Sequence, residues 1–283
     1  METCLDVTNI VQGTIISKWK IEKKLTQGDF CHIYKVSGAA KSEKFALKCE
    51  NVDLSLQMLK VESFVIQNLK ACKKKRHFCE IEDIGKTQGI HYIVMQLLGR
   101  PLVDYMKFGQ ISQNCALLVG IQIYENRGEL NKLFLLSFSI ARKYLDEKGQ
   151  IRSARDSVEF RGTLRYASLN CHKLVELSRK DDLESTFYVI IEMITGNLPW
   201  KGFNADQNAV FLAKNAARSG AKLQEFLKNA QFLRELLQII DNLTYFSTPD
   251  YQQIYTILRK NLRNSQEKRL DWEKGGTLFL EDL

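Results

Sequence analysis

The sequence predicts an α+β protein in which a strand-rich first lobe with one helix is followed by a helical lobe. Up to about Leu98, short β-branched or alternating runs are separated by Gly and Ser turns, the pattern of strands. After Gly99, apolar residues recur near the 3.6-residue period of helices. No low-complexity segment, internal repeat or Pro/Gly/Ser linker parts the two regions, so two adjoining lobes are expected, and ligands commonly bind between such units.

In chain order, strands are predicted over 19–25, 33–36 and 44–49. A helix follows over 56–69, where Leu59, Val65, Ile66 and Leu69 repeat at helical spacing until the basic loop at 73–76 ends it. Two further strands, 81–85 and 91–97, turn at Gly89. The second lobe reads as helices over 116–124, 182–195, 207–218, 232–243 and 251–262. Gly196 and Pro199 stop the second of these. Thr248, Pro249 and Asp250 supply an N-cap, a proline at the first helical position and a first-turn acid for the last.

Composition narrows the class. With 283 residues, 45% hydrophobic and 26% charged, the chain can bury a sizeable core and reads as globular. The apolar run at 10–16 is too brief for a signal or a membrane span, so an intracellular protein, cytoplasmic or nuclear, is expected. Seven cysteines without a CxxC pair argue against a disulfide framework or a zinc site, and the spacing of Cys72, His77 and Cys79 fits no common ligand set. A net charge of +8 and a pI near 9.0 favour acidic partners but fit a lysine-rich solvated surface equally well. Nothing beyond the charge and the basic run 73–76 points to nucleic acid.

Several spaced blocks together resemble a protein kinase. The run LTQGDFCHIYKV over 25–36 looks like a glycine-rich loop that keeps only its middle glycine, Gly28, with Thr26 and Cys31 at the other two positions. Ala46, Leu47 and Lys48, followed by Glu62 in the predicted helix, match the lysine and glutamate that kinases pair to hold nucleotide phosphates. The run YIVMQLLG over 92–99 resembles the hinge strand beside adenine. The runs FRGTLRYAS over 160–168 and SRKDDLES over 178–185, then Leu198, Pro199 and Trp200, resemble the casein kinase 1 group almost residue for residue. The tau-tubulin kinase branch is nearest, through Val94 to Gln96, Gly99 and Arg100, the run ARKY over 141–144, and the late Asp271, Trp272 and Glu273. The resemblance spans 19–273, with 19–98 as the first lobe, 99–273 as the second, and 1–18 and 274–283 as extensions.

Against that family the middle of the chain is short. No His-Arg-Asp loop is present, since His32, His77, His91 and His172 all lie in other blocks, and its downstream Asn is absent too. After Gly120, Ile121 and Gln122 the chain reaches Glu129, Leu130, Asn131 and Lys132, which resemble the stretch before the metal-binding Asp-Phe-Gly. Roughly thirty residues of the usual plan, including the catalytic base, are missing. Where Asp-Phe-Gly is expected the chain has Ser137, Phe138 and Ser139, so a neutral hydroxyl replaces the magnesium carboxylate.

The resemblance therefore implies a kinase-like domain without catalytic residues and a degenerate nucleotide site made of Leu25, Gly28, Ile33, Ala46, Lys48, Glu62, Met95, Gln96 and Leu98. Weak or absent ATP binding and no magnesium are expected, with Asp29 adding repulsion toward phosphates. Arg161, Arg165, Lys173 and Arg179 would offer cations to acidic or phosphorylated segments of protein partners, not to nucleic acid or membranes. The other reading is an active ATP-dependent serine/threonine kinase, of which this sequence is a splice form or incomplete gene model. In the chain as given, the helix at 116–124 should pass almost directly into a strand at 133–136, because 123–128 reaches at most about 20 Å. Asp182 and Phe138 would then lose the catalytic-loop groups they normally meet, leaving voids or unpaired groups.

Overall fold

The computed structural model describes residues 6–28, 31–38, 43–53, 57–70, 77–107, 111–125, 133–203, 206–263 and 270–273. They group into one unit of Met1–Gly99 with Phe134–Arg142 and a second of Arg100–Leu133 with Lys143–Leu283. Asp29, Cys72, the basic run 73–76 and residues 129–132, all singled out in the sequence, lie outside the described residues.

The first unit is built on six strands: β1 (Ile15–Ile16), β2 (Trp19–Gln27), β3 (His32–Gly38), β4 (Lys44–Asn51), β5 (Ile81–Thr87) and β6 (Ile90–Gln96). They pair antiparallel throughout, in the order β1-β2-β3-β4-β6-β5. The helix α1 (Met58–Lys70) joins β4 to β5. Side chains alternate across a strand, so the two faces of β4 serve different cores. Phe45, Leu47 and Cys49 pack with Trp19, Ile21, Tyr34 and Val36 on one face. Ala46 packs on the other with Ile93 and Met95 of β6 and with Leu59 and Ile66 of α1. Burial on both faces explains why β4 reads as a nearly continuous apolar run around Lys48.

Residues 7–16, assigned to an extension by the sequence, pack into this unit. Asp6 caps a 3-10 turn, Val7–Asn9, by accepting from the Thr8 N–H. The turn is then pinned to the sheet: the Tyr34 hydroxyl donates to Val7 O at 2.9 Å, His32 Nδ1 lies 2.7 Å from the same carbonyl, and Val7 N donates to Asn51 Oδ1 at 2.9 Å. Val7, Ile10 and Ile16 are buried as a result. His32 and Tyr34 fall on one face of β3 two residues apart, a spacing with no meaning until the partner turn is known.

A close approach inside the sheet gives a direct test. Gly85 faces Tyr92 across β5 and β6, and a Cβ there would stand 2.5 Å from the Tyr92 hydroxyl oxygen and 2.6 Å from Cζ. Gly85→Ala is expected to push the ring aside and lower stability by about 1–3 kcal/mol, measured as a fall in the urea midpoint at constant slope.

The second unit is helical: α2 (Leu102–Lys107), α3 (Gln113–Glu125), α4 (Leu169–His172), α5 (Arg179–Thr195), α6 (Gln207–Ala216), α7 (Gly220–Leu227), α8 (Arg234–Asn242) and α9 (Tyr251–Lys260). α5 is its central element, burying Leu183, Phe187, Tyr188, Ile190, Ile191 and Ile194. A capping box of Ser178 and Asp181 starts it, and Gly196 ends it in the left-handed region at φ 74°, where glycine carries no Cβ penalty. Trp200, Tyr188 and Phe226 make mutual aromatic contacts in the same core.

Several expectations need correction. The last helix is capped by Asp250, whose carboxylate accepts from Gln253 N at 2.9 Å, two residues beyond the expected Thr248. The Thr248 hydroxyl accepts from Arg179 instead, so Pro249 precedes the cap. The predicted helix 207–218 ends at Ala216, and Gly220 opens the separate α7, which the sequence reading missed along with α2 and α4. The strand expected at 133–136 is reduced to one parallel bridge, Leu135 with Phe78. Finally, Phe138 is not left over a void, because the Phe78 ring meets it at 5.7 Å and the pair lies against the core around Ala46 and Met95.

Candidate functional site

Strand register brings the first group of predicted residues together. Ile33 pairs with Lys48, and Ala46 pairs with Met95, which places Ile33, Ala46, Lys48 and Met95 on the α1 side of the sheet. Helical spacing on α1 turns Leu59, Glu62 and Ile66 toward the same side. Lys48 Nζ meets Glu62 Oε2 at 2.6 Å, with both residues buried. Ser137 Oγ lies 3.4 Å from the same ammonium, so the chain returning at 134–142 does deliver Ser137 to the lysine. Its backbone is in the left-handed region, at φ 65°, which a non-glycine residue occupies only at a cost.

The remaining nucleotide-site residues are placed less uniformly. Leu25 sits exposed on β2. Gly28 N donates to Cys31 O at 2.9 Å, and a Cβ on Gly28 would stand 3.2 Å from that oxygen, so this turn is tight enough to favour glycine. Gln96 is exposed and its N–H is already taken by Glu80 O at 2.9 Å, while Leu98 is half-buried.

Beside the Lys48–Glu62 pair lies a cavity of about 110 Å3, walled by Met58 and Leu59 and lined by Cys31, Lys48, Glu50, Glu62 and Ser139. Glu50 is the residue that the sequence reading missed. One of its oxygens, Oε2, accepts from Leu59 N at 2.9 Å near the start of α1. The other, Oε1, is buried and has no hydrogen-bond partner among the described residues. Burial pushes the Glu50 carboxyl above its ordinary range, with the Leu59 N–H and Lys48 opposing. Burial likewise raises the Cys31 thiol. The only sequence signal was alternation, since 46, 48 and 50 share a face, and a glutamate two residues after a buried lysine must find a partner there.

In the second unit the four predicted cations divide. Arg165 donates to the buried Glu192 at 3.4 Å, where Tyr166 and Lys201 also converge at 2.7 and 3.5 Å. Arg179 donates to Ser247 O at 3.0 Å and stacks over Tyr144 at 4.8 Å. Those two guanidinium groups brace the fold. Arg161, which among the described residues pairs with neighbouring Glu159 at 3.3 Å, and Lys173 are exposed. Asp182 makes no side-chain hydrogen bond or ion pair among the described residues. Although it is exposed, the surrounding protein and then Asp181 push its pKa up to about 6. On α3, buried Gln122 uses Oε1 to accept from Leu133 N at 3.1 Å, but its Nε2 has no hydrogen-bond partner among the described residues.

Among the described residues, a strand sheet carrying one α-helix, a helical unit and a buried lysine–glutamate pair make an α+β chain that resembles the protein-kinase fold. The comparisons with known proteins agree. The chain is 30% identical to a Dictyostelium discoideum protein named as a probable serine/threonine-protein kinase, over 92% of this chain and 58% of that one. It is 29% identical to the serine/threonine-protein kinase spe-6 of Caenorhabditis elegans, over 90% of this chain and 76% of that one. The chain thus spans little more than half the length of the first relative. The alignment to that relative runs over 293 positions yet covers only 92% of a 283-residue chain, so roughly thirty positions meet no residue here. No family model matches the chain. Among the described residues no helix is long and apolar enough to cross a membrane.

Proposed function

We propose that this chain is a kinase-fold binding or regulatory module of the casein kinase 1 group, nearest the tau-tubulin kinase branch, that does not transfer phosphate. The observation that carries the reading is Ser137, whose hydroxyl stands 3.4 Å from Lys48 at the position where a magnesium carboxylate ligand is required. The Lys48–Glu62 pair is in place, but the residues do not fit a magnesium–nucleotide complex, because a neutral hydroxyl stands where the metal carboxylate is needed. The absent His-Arg-Asp loop removes the base as well. Without those groups the Lys48–Glu62 pair is left to fasten α1 to the sheet. Partners are intracellular proteins with acidic or phosphorylated segments, met by Arg161 and Lys173, with nucleic acid and membranes excluded.

Thermal unfolding with ATP, with ATP plus magnesium, and with an acidic phosphopeptide tests this. The expected result is no magnesium-dependent shift, where a true ligand at a hundred times its Kd would add about 2.7 kcal/mol. Phosphopeptide binding is expected to fall in an Arg161→Ala, Lys173→Ala double variant. A shift that needs magnesium overturns the reading.

A second reading, an active kinase of which this sequence is a shortened form, is favoured by the unmatched positions in the alignment and by the names of the relatives. Sequencing the transcript across codons 120–132 separates the two. Ser137 lies beyond that gap, so a longer form would still lack the metal carboxylate.

A further inference from the structure

The face of the sheet formed by β2, β3 and the start of β4 carries an inference independent of the Lys48–Glu62 pair. The run 18–48 holds eight lysines against three acids, which accounts for five of the chain's eight net positive charges. Strand register gathers four of those lysines together. Lys20 stands opposite Ser37 and Ser37 opposite Lys44, while in the next row Lys23 stands opposite Lys35 and Lys35 opposite Ala46. Residues directly opposite share a face, so all four lysines lie on the Ala46 side of the sheet.

A bulge makes the arrangement. In a regular strand Lys23 would follow Trp19 and Ile21 to the other face. The register shifts between Ile21 and Lys23, and the extra residue, Glu22, turns Lys23 onto the face of Lys35. Like charges directly opposite one another destabilise a sheet. Glu22 does not cancel them, because it is bonded by Lys44 and Ser37, which hold its carboxyl below the ordinary range with Lys35 nearby. Lys20, Lys23 and Lys35 make no hydrogen bond or ion pair among the described residues, and Lys20 and Lys23 are exposed.

Charge and spacing choose the ligand. Lys23 and Lys35 stand about 5 Å apart at Cβ and present two positive charges. A carboxylate answers one of them, whereas a phosphomonoester, with a charge of about −1.5 to −2 and three acceptor oxygens, answers both. The row of Lys20 and Lys44 lies two residues along β3, about 7 Å away, and keeps one net positive charge after Glu22 is counted. A compact molecule with phosphates a few ångströms apart spans both rows. The face lies beyond the lysine that would hold nucleotide phosphates: Lys44 is four residues from Lys48 along β4, roughly 13 Å.

We propose that this face of β2, β3 and β4 binds soluble small molecules bearing several phosphomonoesters, of the inositol polyphosphate class, with one phosphate between Lys23 and Lys35 and another toward Lys20. Inositol hexakisphosphate is the probe, titrated by calorimetry into the full chain at physiological salt. Saturable binding is expected, weakening as salt is raised because exposed charges are screened. Lys23→Gln with Lys35→Gln should weaken it at least about tenfold, the factor for one charge-assisted hydrogen bond. The same variant without ligand should unfold at a urea concentration no lower than the unaltered chain does, since it loses a repulsive pair, so lost binding is not lost folding. Arg161→Ala with Lys173→Ala removes the same charge from the other unit and should leave probe binding unchanged, which separates this outcome from phosphopeptide binding there. No saturable binding, an equal loss in both double variants, or inorganic phosphate bound as tightly as the probe overturns the proposal. Tighter binding to vesicles of a bisphosphorylated inositol lipid, or to a doubly phosphorylated peptide, overturns it too, by giving the face to a membrane or a protein.

Discussion

Glu184→Ala is expected to cost about 3–5 kcal/mol, a large share of the stability of a typical domain. Glu184 is completely buried on α5 and gathers four donors: Lys180 Nζ at 2.8 Å, Arg218 Nη2 at 2.8 Å, the Tyr188 hydroxyl at 2.6 Å and Leu169 N at 2.9 Å. Removing the carboxylate leaves Lys180 with no ion-pair partner among the described residues and Arg218 with Asp241 alone, at 3.1 Å, which is the expensive way to break a buried pair. Glu184→Gln, which keeps the hydrogen-bonding shape, should lose less. The pH dependence has a definite sign. Burial alone would raise the carboxyl, but Arg218 and Lys180 outweigh it and hold the folded pKa below its ordinary value. The contribution is therefore fully present above the unfolded carboxylate range and is lost as pH falls through the folded pKa. Urea titrations of both variants at neutral pH and near pH 4 check this, and a loss below about 1 kcal/mol for the alanine variant would mean that the network is dispensable.

How far the sequence carried this picture depended on whether a residue's partner was local. The strands and α1 were legible because their periodicity is local, and the end of α5 at Gly196 because a left-handed cap needs glycine. Asp250 was misassigned as a first-turn acid because Thr, Pro and Asp in succession allow two cap registers, and Arg179, far away in sequence, claims the Thr248 hydroxyl. The strand at 133–136 was read from kinase likeness and not from a local pattern, and among the described residues only the parallel bridge of Leu135 to Phe78 forms there. The contact of Phe138 with Phe78 was likewise invisible, since the two rings are sixty residues apart in sequence. Within the candidate site, Lys48 and Glu62 were legible through spacing, whereas Glu50 was not, because its role depends on where α1 begins in space. Arg165 and Arg179 looked like free cations because sequence displays charge but not the buried acceptor that consumes it.

Lys214 illustrates the same limit and carries the second large effect. An ordinary solvated lysine by sequence, it is fully buried in α6 and donates to Leu164 O at 2.8 Å, Ala167 O at 2.6 Å and His172 Nε2 at 3.1 Å. Its ammonium also lies over the rings of Tyr188 at 5.1 Å and Trp200 at 5.5 Å, a cation–π arrangement in a desolvated place. It thus ties the backbone at 164–167 to α6. Lys214→Met keeps much of the volume but orphans two buried carbonyls, at about 1–3 kcal/mol each, so a loss of roughly 2–5 kcal/mol is expected. Burial lowers the lysine from 10.5 to about 7, with Glu184 and Cys171 opposing and Arg218 adding to the shift. Between those values the unfolded chain holds a proton that the folded chain has released. Stability of the unaltered chain should therefore rise with pH above about 7 relative to the variant, by up to about 1.4 kcal/mol per unit. The comparison is made from pH 7 to 8.5, as the difference between the two chains, so that the thiols and phenols common to both cancel. A difference that stays level or shrinks over that interval would show that Lys214 keeps its proton in the folded chain, held by the two carbonyls and the imidazole.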